Sequence, residues 1–243
     1  MARYAMVIDL HKCVGCQACT MACNSEWEVP AGYARTRVRF AGPEGAFPNL
    51  VASPYVAQCN HCDNPPCVKA CPTGATYQTD EGIVVIDRAL CIGCGFCVEA
   101  CPYSARFLNP VINKVDKCDF CSARLEKDLQ PACVATCTAH AKFFGDLEDS
   151  GSDVFRLVYE QGARRNESPA AHPGPNVYYS GKKANVDLAL AAFPPRPPRL
   201  LTQGRFWKGF VKPLVLGMVG ATFLGQAVAF FQQLKKGEGQ FDD

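Results

Sequence analysis

The 243-residue chain lacks the loops by which proteins grip nucleotides: it holds neither a G-x-G-x-x-G nor a G-x-x-x-x-G-K-[ST] sequence. Its four histidines, His11, His61, His140 and His172, are scattered with no evident partner. No acid–base or nucleophilic constellation stands out, which argues against an enzyme with its own active site. Strong charge of one sign is missing too. The formal net charge is +2 and no basic stripe with interleaved aromatics appears, so nothing points to a nucleic-acid partner. The opening MARYAMVIDL has no apolar h-region and no twin arginine, so a signal peptide is not expected.

What the chain does have is cysteine. Its 16 Cys fall into four groups of four with none left over. They are Cys13, Cys16, Cys19, Cys23; Cys59, Cys62, Cys67, Cys71; Cys91, Cys94, Cys97, Cys101; and Cys118, Cys121, Cys133, Cys137. The third group is an uninterrupted C-x₂-C-x₂-C-x₃-C-P run. Bacterial-type ferredoxins hold a [4Fe–4S] cube with this spacing, three thiolates wrapping one cluster while the fourth reaches a neighbour. Cysteines two residues apart in a tight turn, with Gly to relax the backbone, can aim three sulfurs at one small inorganic face. A disulfide scaffold would need a secreted chain and would not favour repeated CxxC. Structural zinc needs paired CxxC units, but not the triplet or the trailing Cys-Pro. Iron–sulfur chemistry is the reading that remains. Metal ligation is folding energy in such domains, so the chain without its clusters is expected to be largely unfolded through residue 147.

The first group carries a close copy of the third. Val7-Ile8-Asp9-x₃-Cys13-x-Gly15-Cys16 matches Val85-Ile86-Asp87-x₃-Cys91-x-Gly93-Cys94 at a constant offset of 78 residues, an internal repeat. Tyr4–Asp9 reads as a short strand running into the first cluster loop. In the second group Pro65-Pro66 lengthens the middle spacing while keeping the turn stiff, and His61 is read as a bystander beside four Cys. In the fourth group 122–129 reads as a short helix inserted between ligands. Three groups share a Cys-x₃-Ala ending: Cys71 to Ala75, Cys101 to Ala105 and Cys137 to Ala141. Residues 24–58 read as a surface loop or a docking surface. Lys69, Arg106, Lys114 and Lys117 lie near ligands in sequence and could tune cluster potentials, though solvated surface charge is the plainer reading.

Beyond Gly145 the cysteines stop. Val154–Tyr159 shows a helical pattern, Ser168–Pro175 is polar and Pro/Gly-rich, and Phe193–Arg199 predicts an extended polyproline spacer. The domain reading is therefore 1–147 as a cluster domain, 148–209 as tail and linker, 210–234 as a transmembrane helix and 235–243 as a polar tail. The stretch Pro213–Phe231 has no charge and follows the interfacial aromatics Phe206, Trp207 and Phe210. Gly217, Ala221, Gly225 and Ala229 recur every fourth position, a small-residue face for packing another membrane helix, with Gln226 beside it. Cations gather before this stretch, at Arg196, Arg199, Arg205, Lys208 and Lys212, more than after it, at Lys235 and Lys236. That bias places the cluster domain on the cytoplasmic side of the inner membrane.

The four groups in this order, with CNHCDNPPCVKACPTGAT, DEGIVVIDRALCIGCGFCVEACPYSARF and VDKCDFC…LQPACVATC, resemble the iron–sulfur subunits of dimethyl-sulfoxide-reductase-type molybdoenzyme complexes. Polysulfide, thiosulfate, tetrathionate and arsenate reductases supply the nearest likenesses. The resemblance implies an α+β fold of two interleaved bacterial-ferredoxin-like modules with long loops, to which the tail adds a transmembrane helix. It implies a non-catalytic relay of four [4Fe–4S] clusters between a molybdenum or tungsten bis-pterin catalytic subunit and a quinone-reactive membrane subunit. A quinone–cytochrome or hydrogenase-type assembly without molybdenum is the alternative setting. Ligand nesting is implied as well: Cys59, Cys62, Cys67 and Cys101 for one cube, and Cys91, Cys94, Cys97 and Cys71 for its neighbour. Cys13, Cys16, Cys19 and Cys137 would hold a third, and Cys118, Cys121, Cys133 and Cys23 the fourth.

Overall fold

The computed structural model describes residues 2–197 and, in the tail, residues 218, 220, 222, 223, 225–228 and 230–232. Its strands are β1 (Tyr4–Asp9), β2 (Thr36–Glu44), β3 (Val51–Gln58), β4 (Thr76–Gln78), β5 (Val84–Ile86), β6 (Arg106–Asn109), β7 (Lys114–Lys117), β8 (Lys142–Asp146), β9 (Arg164–Arg165) and β10 (Val177–Ser180). The helices are α1 (Ala18–Glu26), α2 (Pro66–Lys69), α3 (Phe96–Glu99), α4 (Ser122–Leu125), α5 (Ala132–Ala135), α6 (Asp153–Phe155) and α7 (Lys183–Ala192), with a π-helical turn at Arg156–Glu160. Chain contacts divide the molecule into Met1–Leu200 and Leu201–Asp243.

Strand β1 takes the bounds its sequence predicts, and Ala5, Met6, Val7 and Ile8 are all buried. Four buried residues in a row break the in–out alternation of a half-exposed strand. The cause is a central place in the sheet β8-β1-β10-β9, with both faces covered. β1 runs parallel to β10 and antiparallel to β8, with Ile8 opposite both Tyr179 and Lys142. Met6, Ile8, Tyr55, Phe120 and Tyr179 form the main core together with Cys19, Cys59, Cys118 and Cys133, so ligand sulfurs are part of the hydrophobic interior. Three two-stranded sheets, β2-β3, β4-β5 and β6-β7, complete the architecture. Small sheets and one-turn helices strung between cysteines are what ferredoxin-like modules look like.

Several regions differ from expectation. Residues 24–58 are mostly an antiparallel hairpin rather than a loop: β2 and β3 pair from Thr36–Gln58 to Glu44–Val51, with a bulge at Ala41–Glu44. Residues 148–192 are folded onto the cluster body, not strung out as a tail. β10 joins the central sheet, and α7 buries Val186, Leu188 and Ala189. At the start of the proline run, Phe193 stacks on Tyr55 at 4.9 Å and the Arg196 amide donates to the Pro102 carbonyl at 2.7 Å. That run is docked on the turn after Cys101.

The expected transmembrane helix is corrected. Among the described residues no helix is long and apolar enough to cross a membrane. The described helical residues of the tail lie between Met218 and Gln232. Of the small-residue face, Gly225 is helical, whereas Gly217, Ala221 and Ala229 lie outside the described residues. So do Phe206, Trp207, Phe210 and the cations from Arg199 to Lys212.

Candidate metal-cluster sites

Each half of the repeat builds its ligand loop by the same local chemistry. The Asp9 carboxylate accepts from the amides of His11 (2.9 Å) and Lys12 (3.3 Å), and the Cys13 amide donates to the Asp9 carbonyl. One repeat later the Asp87 carboxylate accepts from Ala89 (2.7 Å) and Leu90 (3.3 Å), and the Cys91 amide donates to the Asp87 carbonyl. The Asp side chain thus caps the turn that starts the loop. Gly15 and Gly93 then adopt left-handed φ values of 69° and 71°. A Cβ at Gly15 would stand 2.1 Å from the Phe40 ring, and at Gly93 it would stand 2.4 Å from the Asn113 carbonyl oxygen. Only glycine fits both the backbone and the space.

The structure brings together cysteines that are far apart in sequence. Cys13, Cys16 and Cys19 line one cavity with Cys137, walled by Val38, Val56, Ala141 and Lys142. Cys23 has Cys133 and Cys121 as neighbours, and Cys118 has Cys23 and Cys133. Cys62 is surrounded by Cys59, Cys101 and Cys67. Cys67, Cys91 and Cys97 pack in one cluster with Cys71 at its edge. All sixteen thiols are free of disulfides, and Cys16 and Cys94 are the two that are exposed. Among the described residues no three His, Cys, Asp or Glu side chains converge as they would around a single metal ion.

Family comparisons agree with this chemistry. A 4Fe-4S dicluster domain matches residues 52–147 and a 4Fe-4S binding domain matches residues 10–32. A tetrathionate reductase subunit of Salmonella typhimurium is 44% identical over 181 residues, covering 74% of this chain and 72% of the relative. The thiosulfate reductase electron transfer subunit PhsB of Salmonella typhi is 41% identical over 185 residues, covering 74% of this chain and 96% of the relative. The chain belongs to the family of [4Fe–4S] ferredoxin-type electron-transfer subunits of reductase complexes. A tetrathionate reductase subunit of Archaeoglobus fulgidus is similar too, at 49% identity over 147 residues, covering 60% of this chain and 68% of the relative.

The surroundings of the cysteines in this ferredoxin-type subunit fit thiolate-bound iron–sulfur cores. Burial pushes the Cys23 thiol up to about 12 and the Cys67 thiol up to about 11, the latter despite a nearby Arg106. Neutral buried thiols must lose protons to bind iron, so iron binding and proton release are coupled. N–H groups already point at sulfur. The Arg106 guanidinium donates to Cys67 Sγ at 2.8 Å, the Trp27 indole to Cys121 Sγ at 3.3 Å, and the Ala141 amide to Cys137 Sγ at 3.3 Å. Such bonds stabilise charge on sulfur. Exposed Cys16 is shifted down instead, chiefly by a hydrogen bond from the Ala18 amide.

Of the cations flagged from sequence, Lys69 is exposed as surface charge should be, while Arg106 and Lys117 are buried. Lys114 is half-buried, and its ammonium donates to the Cys91 carbonyl. His61 is fully buried and accepts the Val84 amide on Nδ1 at 3.0 Å, while its ring stacks on Phe120. Its surroundings hold it well below the ordinary histidine range, first by burial and then by Lys117 and Arg106. Trp27 and Lys142 escaped the sequence reading. The signal for Lys142 was present, because a cation follows both Cys101-x₃-Ala105 and Cys137-x₃-Ala141.

Proposed function

We propose that this subunit relays single electrons through four [4Fe–4S] clusters between a molybdenum or tungsten bis-pterin catalytic subunit and a quinone-reactive membrane subunit. Each cluster supplies, when bound, a one-electron couple with no open coordination site. Cys59, Cys62, Cys67 and Cys101 hold one cube, and Cys71, Cys91, Cys94 and Cys97 the next. Cys118, Cys121, Cys133 and Cys23 hold another, and Cys13, Cys16, Cys19 and Cys137 the last. The observation that carries the reading is how these four sets neighbour one another. Arg106 lies among sulfurs of the first two sets, Cys118 has Cys59 beside it, and Lys142 lies among Cys133, Cys118 and Cys19. Those shared neighbours string the sets into a row.

The ends of the row are the Cys71 set and the Cys13 set, and each offers one exposed sulfur, Cys94 or Cys16. Val14 and Ile92, next to those sulfurs in the two repeats, are 68% and 64% exposed, apolar residues at an opening where a partner would dock. Between the ends, buried side chains keep water from the sulfurs. Anaerobic purification of the complex with a tag on this chain tests the assignment. The expected result is stoichiometric molybdenum or tungsten, an integral-membrane partner, and reduction of the iron–sulfur chromophore by a quinol. A complex free of both metals would place the same relay in a quinone–cytochrome or hydrogenase-type assembly instead.

A further inference from the structure

Buried cations in this protein are of two kinds. Arg35 donates to Asp116 at 2.7 Å and to Asp119 at 3.3 Å, and it lies over the Trp27 ring at 4.5 Å. Its charge is cancelled locally. Arg106, Lys117 and Lys142 are equally buried, yet no carboxylate of the described residues pairs with any of them. A lone buried cation is strongly disfavoured unless some other anion faces it.

For two of these cations the anion in reach is sulfur. Arg106 donates one nitrogen to Cys67 Sγ and another to Thr76 Oγ1 at 3.2 Å, and its Nε is buried without a partner. Lys142 donates to Gln58 Oε1 at 2.9 Å, lines the cavity of the Cys13 set and stands close to Cys133. Lys117 differs in giving its protons to the carbonyls of Val84 and Cys118. Arg106 and Lys142 also share a place in the fold. Each is the residue after a Cys-x₃-Ala ending and the first residue of a strand, β6 or β8. The third copy of that place is Thr76, the first residue of β4, whose amide points at Cys71 Sγ at 3.5 Å.

We propose that Arg106 and Lys142 are charge-tuning side chains, each fixing an uncompensated positive charge against a thiolate shell. They raise the reduction potentials of the cubes they face above what neutral side chains at the same places would give, as Thr76 is neutral in the third copy. Reduction adds negative charge to a thiolate-bound cube, so a fixed nearby cation in a low-dielectric interior favours the reduced form. Arg106 acts most strongly on the Cys67 cube, whose sulfur it touches, and more weakly on the neighbouring cube through Cys97, while Lys142 acts between the Cys13 and Cys118 sets. The burial of both cations keeps salt from screening them. This rests on the four-cube relay reading.

The test is a redox titration, followed by electron paramagnetic resonance, of the full-length chain purified anaerobically with its clusters. Arg106→Gln, Arg106→Lys and Lys142→Gln are compared with wild type. Arg106→Gln should lower one midpoint by at least a tenfold change in its reduction equilibrium, 59 mV for a one-electron couple, with a smaller drop in one neighbour and the other two in place. Arg106→Lys keeps the charge and should shift that midpoint much less. Lys142→Gln should lower a different midpoint. Unmoved midpoints in both Gln variants overturn the inference, and so does an equal shift in Arg106→Lys and Arg106→Gln. Loss of a cluster from Arg106→Gln and Arg106→Lys alike would also overturn it, making the guanidinium a structural part. A wild-type chain with no reducible [4Fe–4S] signal would sink the relay reading first; normal wild-type signals with unmoved variants sink this inference alone.

Discussion

The two halves of the repeat differ least at the ligand loop and most around it. Asp9 and Asp87 cap the same turn, Gly15 and Gly93 take the same left-handed backbone, and each loop exposes its second sulfur. Outside the loops little is shared. β1 lies in the middle of a four-stranded sheet, whereas β5 has β4 alone. The first loop is roofed by Phe40 from the hairpin, and the second by the Asn113 backbone. Lys142 stands opposite Ile8, but neutral Thr76 stands opposite Ile86. The loop must match an inorganic cube, which tolerates no variation. Its walls need only exclude water and set charge, so insertion and substitution have remade them separately in each half.

Removing iron tests whether the halves are independent, and it should have the largest effect. Without thiolates Arg106 and Lys142 lose their counter-charge, so both halves should lose fixed tertiary structure together, seen as loss of near-ultraviolet circular dichroism across Met1–Leu200. A chelated chain that kept a native-like spectrum would contradict this. Because burial raises the thiols of Cys23 and Cys67 above the ordinary range, they are protonated at neutral pH. Reloading with iron and sulfide should therefore release protons and tighten as pH rises.

Cys16→Ser and Cys94→Ser come next. Each should disturb one terminal cluster, seen as reduced iron content and one altered resonance signal. Identical signals lost from both variants would break the assignment of two separate ends. Smaller still is the glycine pair. Placing an L-residue at left-handed φ costs roughly 1–2 kcal/mol. Gly93→Ala should cost more than Gly15→Ala, because a backbone carbonyl cannot yield as a Phe40 ring can; chemical denaturation of the iron-loaded chain gives the ranking. Asp9→Ala and Asp87→Ala should each cost about 0.5–1.5 kcal/mol, the net worth of turn hydrogen bonds, and by similar amounts.

The ligand loops were legible because their spacing is set by the cube, and β1 was legible as an apolar run ending at Asp9. The hairpin was hidden by Pro43, Pro48 and Pro54 and by Gly42 and Gly45, which read as loop punctuation although β2 absorbs some of them in a bulge. β10 was hidden for another reason. Val177–Ser180 is four residues long and follows a polar, Pro-rich stretch, and its partner is β1 at the far end of the sequence. Local pattern carries no information about such a pairing. Arg106 was visible as a cation near ligands, but its burial was not, because burial depends on Thr76 and Cys67 arriving from another segment. The uncharged tail looked long enough to span a bilayer. Among the described residues no helix is long and apolar enough to do so.

The parallel pairing of β10 with β1 also ties one of the first segments made to one of the last. Cys13, Cys16 and Cys19 are made early, yet Cys137, which lines the same cavity, follows more than a hundred residues later, and the strand β10 of the central sheet ends at Ser180. The Cys59–Cys101 span, nested inside, is finished well before. The cavity that Cys13, Cys16, Cys19 and Cys137 line therefore cannot exist until residue 142 has been made.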